Sequence, residues 1–233
     1  MDVVGGVWAR VQPVGDIALA GPALLVVLAA ALVAVAVPTL WGVLRLGVTL
    51  VHELGHAGVG MAVGRRFTGF VLRGDMSGHA VTVGPPRGAG RVVTTWAGYP
   101  APAVVGALAV RLGTHGWSGA LLAAVVVVLL VALLRVRSAL TAVVVLAVTA
   151  LTGWLFWSGT ALAQAQVLVA AGLVLVVGAW RHLGAVAGTR DATSDAGVLA
   201  RLTGVPRFVW LASFGLVCAG ATWVVGATVL SAL

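Results

Sequence analysis

The sequence predicts an all-α polytopic membrane protein of about six or seven transmembrane helices, with a small membrane-associated β-hairpin. Three observations lead there. Of 233 residues, 61% are hydrophobic and 9% charged, with a mean hydropathy of +1.13, so a water-soluble domain would lack the polar surface to cover its core. Apolar runs of roughly 20 residues, the length that crosses a bilayer, recur with short connections between them. One polar stretch, 65–90, carries two β-prone runs about a turn. Little chain remains for a second domain, so 1–233 reads as one integral-membrane unit.

Residues 1–16 form a short mixed leader. The run 17–37 is longer than a signal-peptide core and reads as a retained first span, ended by Pro38. Residues 39–64 make the second span, closed by Arg65 and Arg66 at the water interface. The hairpin region follows at 65–90: strands at 67–72 and 79–83, a turn at Asp75-Met76-Ser77-Gly78, and Pro85-Pro86 beyond. The third span, 91–111, is interrupted by Gly98, Pro100 and Pro102. Broken backbone at membrane depth is tolerated where it lines a cavity or packs on protein. Spans at 117–134, 138–157 and 161–180 come next. A polar loop, 181–206, precedes the last span, 207–233. Trp41, Trp117, Trp154, Trp157, Trp180 and Trp210 fall near predicted span ends, as an interfacial belt does.

The net charge of +8 comes from fourteen arginines and no lysine. They are dispersed among short loops, which excludes a nucleic-acid stripe and fits membrane topology. With a cytoplasmic N-terminus, twelve of the fourteen lie inside and only Arg45 and Arg111 in or beyond the outer half. That places the end of the second span on the cytoplasmic side. An arginine-only, Ala-, Val- and Gly-rich composition points to GC-rich coding and a bacterial cell membrane. Cys218 is the sole cysteine, so no internal disulfide forms.

The second span carries His52-Glu53-Leu54-Gly55-His56. Four residues apart on a helix, the two imidazoles share a face about 6 Å apart along the axis. Both can reach one zinc ion, while Glu53, the only glutamate in the chain, can address a metal-bound water. Three polar groups within five residues are costly at membrane depth, so they mark a functional site. A catalytic zinc needs a third protein ligand. Asp195 and Asp191 lie in the loop on the same side as His56. Asp195 stands at a helix start, which would hold a ligand in place or make it an N-cap. Asp191 could equally pair with Arg190 or Arg181. His79 and His182 are spare candidates.

This pattern, His52-Glu53-Leu54-Gly55-His56 in a span with a distant aspartate before a late span, resembles the site-2 protease family of intramembrane zinc metalloproteases. Ser194-Asp195-Ala196 with Leu199-Ala200, Thr203 and Pro206 is similar to its compact bacterial branch. The resemblance implies metal ligands His52, His56 and Asp195, Glu53 as the catalytic general base, Zn2+ as cofactor and a transmembrane protein as substrate. The family's Asn-Pro-Asp-Gly context around the third ligand is absent. Its Ala-Gly-Pro-x-Ala-Asn motif stands here as Ala97-Gly98-Tyr99-Pro100-Ala101-Pro102, without the asparagine. The expected function is therefore intramembrane peptide-bond hydrolysis. A silent relative that binds membrane proteins, and a channel or transporter, are the rival classes. A structural zinc takes four protein ligands and no poised glutamate, which argues against the last.

Overall fold

The computed structural model describes residues 3–19, 21–75 and 77–231. Ten helices and one hairpin follow in order: α1 (Val3–Val11), α2 (Pro22–Ala36), α3 (Pro38–Ala62), β1 (Arg66–Leu72), β2 (Gly78–Val83), α4 (Ala89–Trp96), α5 (Pro100–Thr114), α6 (Ser118–Leu133), α7 (Ala139–Ser158), α8 (Ala161–Ala187), α9 (Asp195–Thr203) and α10 (Arg207–Leu230). Met76, in the expected turn, and the last two residues of the expected final span lie outside the described residues.

Helices α7, α8 and α10 are long and apolar enough to cross a bilayer alone. The pairs α2–α3 and α4–α5 reach that length only together, bent by 95° and 59°, and α6 is a shorter apolar helix. By length and composition the described residues thus hold three to five candidate spans, against the expected six or seven. The difference lies at the breaks. Pro38 does not merely end a span; it starts α3 at its first turn, where a missing N–H is harmless. The residues around Gly98 split the expected third span into α4 and α5. The short mixed leader contains α1.

The elements pack about three apolar clusters of described residues. Helices α5 and α8 run antiparallel at backbone contact: a Cβ on Gly106 would stand 2.6 Å from the Gly172 carbonyl oxygen. Small residues permit this approach where no hydrophobic drive separates helix from lipid. With α9 and α10 they enclose Val110, Val169, Leu199 and Phe214. The second cluster joins α3, α6 and α7 to the hairpin through Leu50, Phe70, Leu72, Leu129 and Val145.

The hairpin is antiparallel, with Phe70 opposite Ala80 and a bulge between Phe67 and Gly69. Its β1 edge is covered, because the Phe70 amide donates to the Arg135 carbonyl and the Arg137 amide to the Phe70 carbonyl. Thr141 on α7 accepts from the Leu72 amide at 2.7 Å. No described strand pairs with the other edge, that of β2.

The N-terminal segment packs far from the hairpin. Arg10 donates to the Phe156 carbonyl and stacks over Trp157, and the Ile17 amide donates to the Thr114 carbonyl. These partners lie at the end of the bundle opposite β1 and β2. Arg10 and Arg65, expected on one side, thus occupy opposite ends.

Candidate metal centre

Helix α3 presents His52 and His56 on one face, as their spacing requires. The His56 Nδ1–H donates to the Thr94 carbonyl at 2.7 Å, which leaves Nε2 with its lone pair directed inward. His52 packs edge-on against Tyr99, ring centroids 4.9 Å apart. Tyr99 in turn stacks on Phe214 of α10 at 4.9 Å. The two Nε2 atoms lie 3.1 Å apart.

The third group arrives from α9. Ser194, not Asp195, caps that helix, its hydroxyl accepting from the Gly197 amide. Asp195 is left free to point inward, and its Oδ2 stands 3.3 Å from His52 Nε2 and 3.2 Å from His56 Nε2. Asp191 turns elsewhere: its Oδ1 accepts from the Thr193 hydroxyl and amide, each at 2.7 Å. Those two bonds hold its carboxyl below the usual value. His79 and His182 are not in the cluster either.

The donor set fits a zinc ion. With the His56 proton committed to Thr94, its Nε2 lone pair would face a carboxylate oxygen, acceptor against acceptor, unless a cation sits between them. Asp195 Oδ2 is buried and has no hydrogen-bond donor of its own. A tetrahedral centre with bonds of about 2.0–2.1 Å sets neighbouring donors about 3.3–3.4 Å apart, close to the spacings seen here. Two nitrogens and one carboxylate oxygen leave a fourth position for water or substrate.

Glu53 is 4% exposed, and the Ala80 amide on β2 lies beside its carboxyl. Two glycines give the site its room. A Cβ at Gly78 would stand 2.5 Å from Glu53 Oε1, and one at Gly98 2.6 Å from His52 Nε2 and closer still to the His56 ring. Gly55 lets α3 back onto the α4–α5 corner, where a Cβ would meet Ala101 Cβ at 2.5 Å. Sequence reasoning gave Gly78 only as a turn residue and Tyr99 only as part of a motif, because their contacts with Glu53 and His52 come from distant positions in the chain. A cavity of about 650 Å³ opens over these groups, lined also by Arg45, His79, Thr82 and His182.

A bundle of apolar helices that buries a His–His–Asp donor set beside a glutamate is the build of a membrane metallopeptidase. The chain belongs to the Peptidase M50B-like family, whose model matches residues 25–225, from α2 into α10. At the family level this is a site-2 protease-type membrane metalloprotease. No curated protein and no solved structure matches the chain.

Proposed function

We propose that the protein is a zinc endopeptidase that cuts transmembrane segments of other membrane proteins. The observation that carries this reading is the convergence of His52, His56 and Asp195 from α3 and α9, with Glu53 kept against Ala80 at the rim of the same cavity. His52, His56 and Asp195 would hold the zinc, which supplies a water of lowered pKa and polarises the scissile carbonyl. Glu53 takes the proton from the attacking water and returns it to the leaving nitrogen. The edge of β2 that no described strand pairs with offers its remaining main-chain groups to an unwound substrate segment, since a helical carbonyl is shielded by its own hydrogen bonds.

The arginines support an orientation. Those of the hairpin, of the α6–α7 connection and of the α8–α10 loop, together with Arg45 at the cavity, occupy the site end; Arg10 and Arg111 occupy the other. The division is again twelve to two, and the positive-inside rule makes the site end cytoplasmic. Taken as crossings, α2, α5, α6, α7, α8 and α10 number six, and both termini then fall outside. Arg10 exchanges places with Arg45 relative to the sequence expectation.

Glu53→Gln tests the reading. Size is kept and the proton acceptor is lost, so zinc content should match wild type while cleavage of a model transmembrane substrate falls by at least about 10²–10⁴. A silent relative would show no cleavage in the wild type under the same conditions. Loss of zinc in Glu53→Gln would refute the role given to Glu53.

A further inference from the structure

Among the polar groups of the cavity, His182 has no task in the chemistry above. His182 lies near the site end of α8 and lines the cavity, its ring centroid 6.4 Å from that of His52. It stands outside the metal-ligand group, whose donor atoms all lie within 4.8 Å of one another. Its ring has no hydrogen-bond partner among the described residues and is half-buried, facing the cavity where a bound ligand can reach it. Its position on α8 is well anchored. Arg181 beside it donates to the Val35 carbonyl at 3.1 Å and covers Trp41 at 4.4 Å, and the Val186 carbonyl accepts from Arg207.

We propose that His182 is a further catalytic residue, donating a ring N–H to the scissile carbonyl oxygen as that oxygen becomes anionic. The inference rests on the peptidase reading. In the step, the water oxygen bonds to the carbonyl carbon, the π pair moves onto the carbonyl oxygen, and Glu53 takes the water proton. Re-formation of the carbonyl then expels the amine, which receives that proton. His182 keeps its own proton throughout. An imidazole presents at least one N–H in either protonation state, so the role needs no titration. Glu53 is held from β2 and His182 enters from α8, so proton transfer and oxyanion binding are served by separate elements. A preorganised donor aimed at developing charge is worth about 10²–10³ in kcat.

The test compares wild type, His182→Leu and His182→Gln as full-length detergent-solubilised protein. Zinc content, kcat and KM on a model transmembrane substrate, and affinity for a phosphinic peptide that mimics the tetrahedral anion are measured. Zinc should stay at one per chain in all three. His182→Leu should lose about 10²–10³ in kcat with KM little changed, and should bind the phosphinic peptide correspondingly more weakly. His182→Gln, which retains an N–H donor, should recover part of both. Wild-type kcat in His182→Leu, beside a wild type that Glu53→Gln silences, overturns this inference and leaves the peptidase reading standing. Zinc loss in His182→Leu also overturns it, by making His182 a ligand. A wild type that binds zinc but cleaves nothing sinks the peptidase reading and this inference together.

Discussion

His56 owes its tautomer to the Thr94 carbonyl, and through it the lone pair that meets His52 and Asp195. At this scale the two loop aspartates separate cleanly. Asp195 points at the histidines, whereas Asp191 spends its Oδ1 on Thr193. Asp195→Ala should therefore reduce bound zinc well below one per chain, and Asp191→Ala should leave it at one, by elemental analysis of chelator-free preparations. The opposite pattern would exchange their roles. Gly98→Ala places a methyl against both imidazoles, so zinc should fall there as well. Gly78→Ala places its methyl against the Glu53 side chain; it should keep its zinc and lose most of its activity. Zinc loss of equal size in both glycine variants would mean that the methyls act on the fold rather than on their separate neighbours.

The hairpin is the element that joins the metal helix to the rest of the bundle. Its β2 strand sets the Ala80 amide beside Glu53, and its β1 strand is tied to the Arg135–Arg137 segment and to Thr141. Thr141 is fully buried, so Thr141→Val strands the Leu72 amide without an acceptor. A buried donor left unpaired costs about 1–3 kcal/mol. Thermal unfolding should shift down, and exchange of the Leu72 amide should accelerate, with zinc content unchanged at low temperature. Unaltered exchange at Leu72 would show that the hairpin is held by its apolar contacts alone. The sequence predicted both strands within a residue, since β-branched and aromatic runs about a turn read clearly. It could not show which edge is covered, because the Arg135–Arg137 segment lies more than sixty positions away.

For the whole molecule, the bends decide how the chain threads. A 95° turn at the α2–α3 junction keeps α3 at the site end, and α1 is left at the opposite end beside Phe156 and Trp157. Reporter fusions after Arg10 and after Leu230 should both read as exported, and one after Arg137 as cytoplasmic. A cytoplasmic signal at Arg10 would restore seven separate crossings and undo the arrangement of α1.

By itself the sequence determined the membrane character, most helix positions, the hairpin and the His52–Glu53–His56 core of the site. Those signals are local: apolar run length, β-prone runs and residue spacing along one helix suffice to produce them. Tertiary structure alone decided the rest. Asp195, not Asp191, faces the two histidines, with Ser194 rather than Asp195 taking the cap. Gly78, Gly98 and Tyr99 matter only through atoms distant in the chain, and Arg10 and Arg45 exchanged ends because α2 and α3 are hinged rather than stacked as two spans. Each depends on where separate segments meet in space, and no single window of residues carries that information.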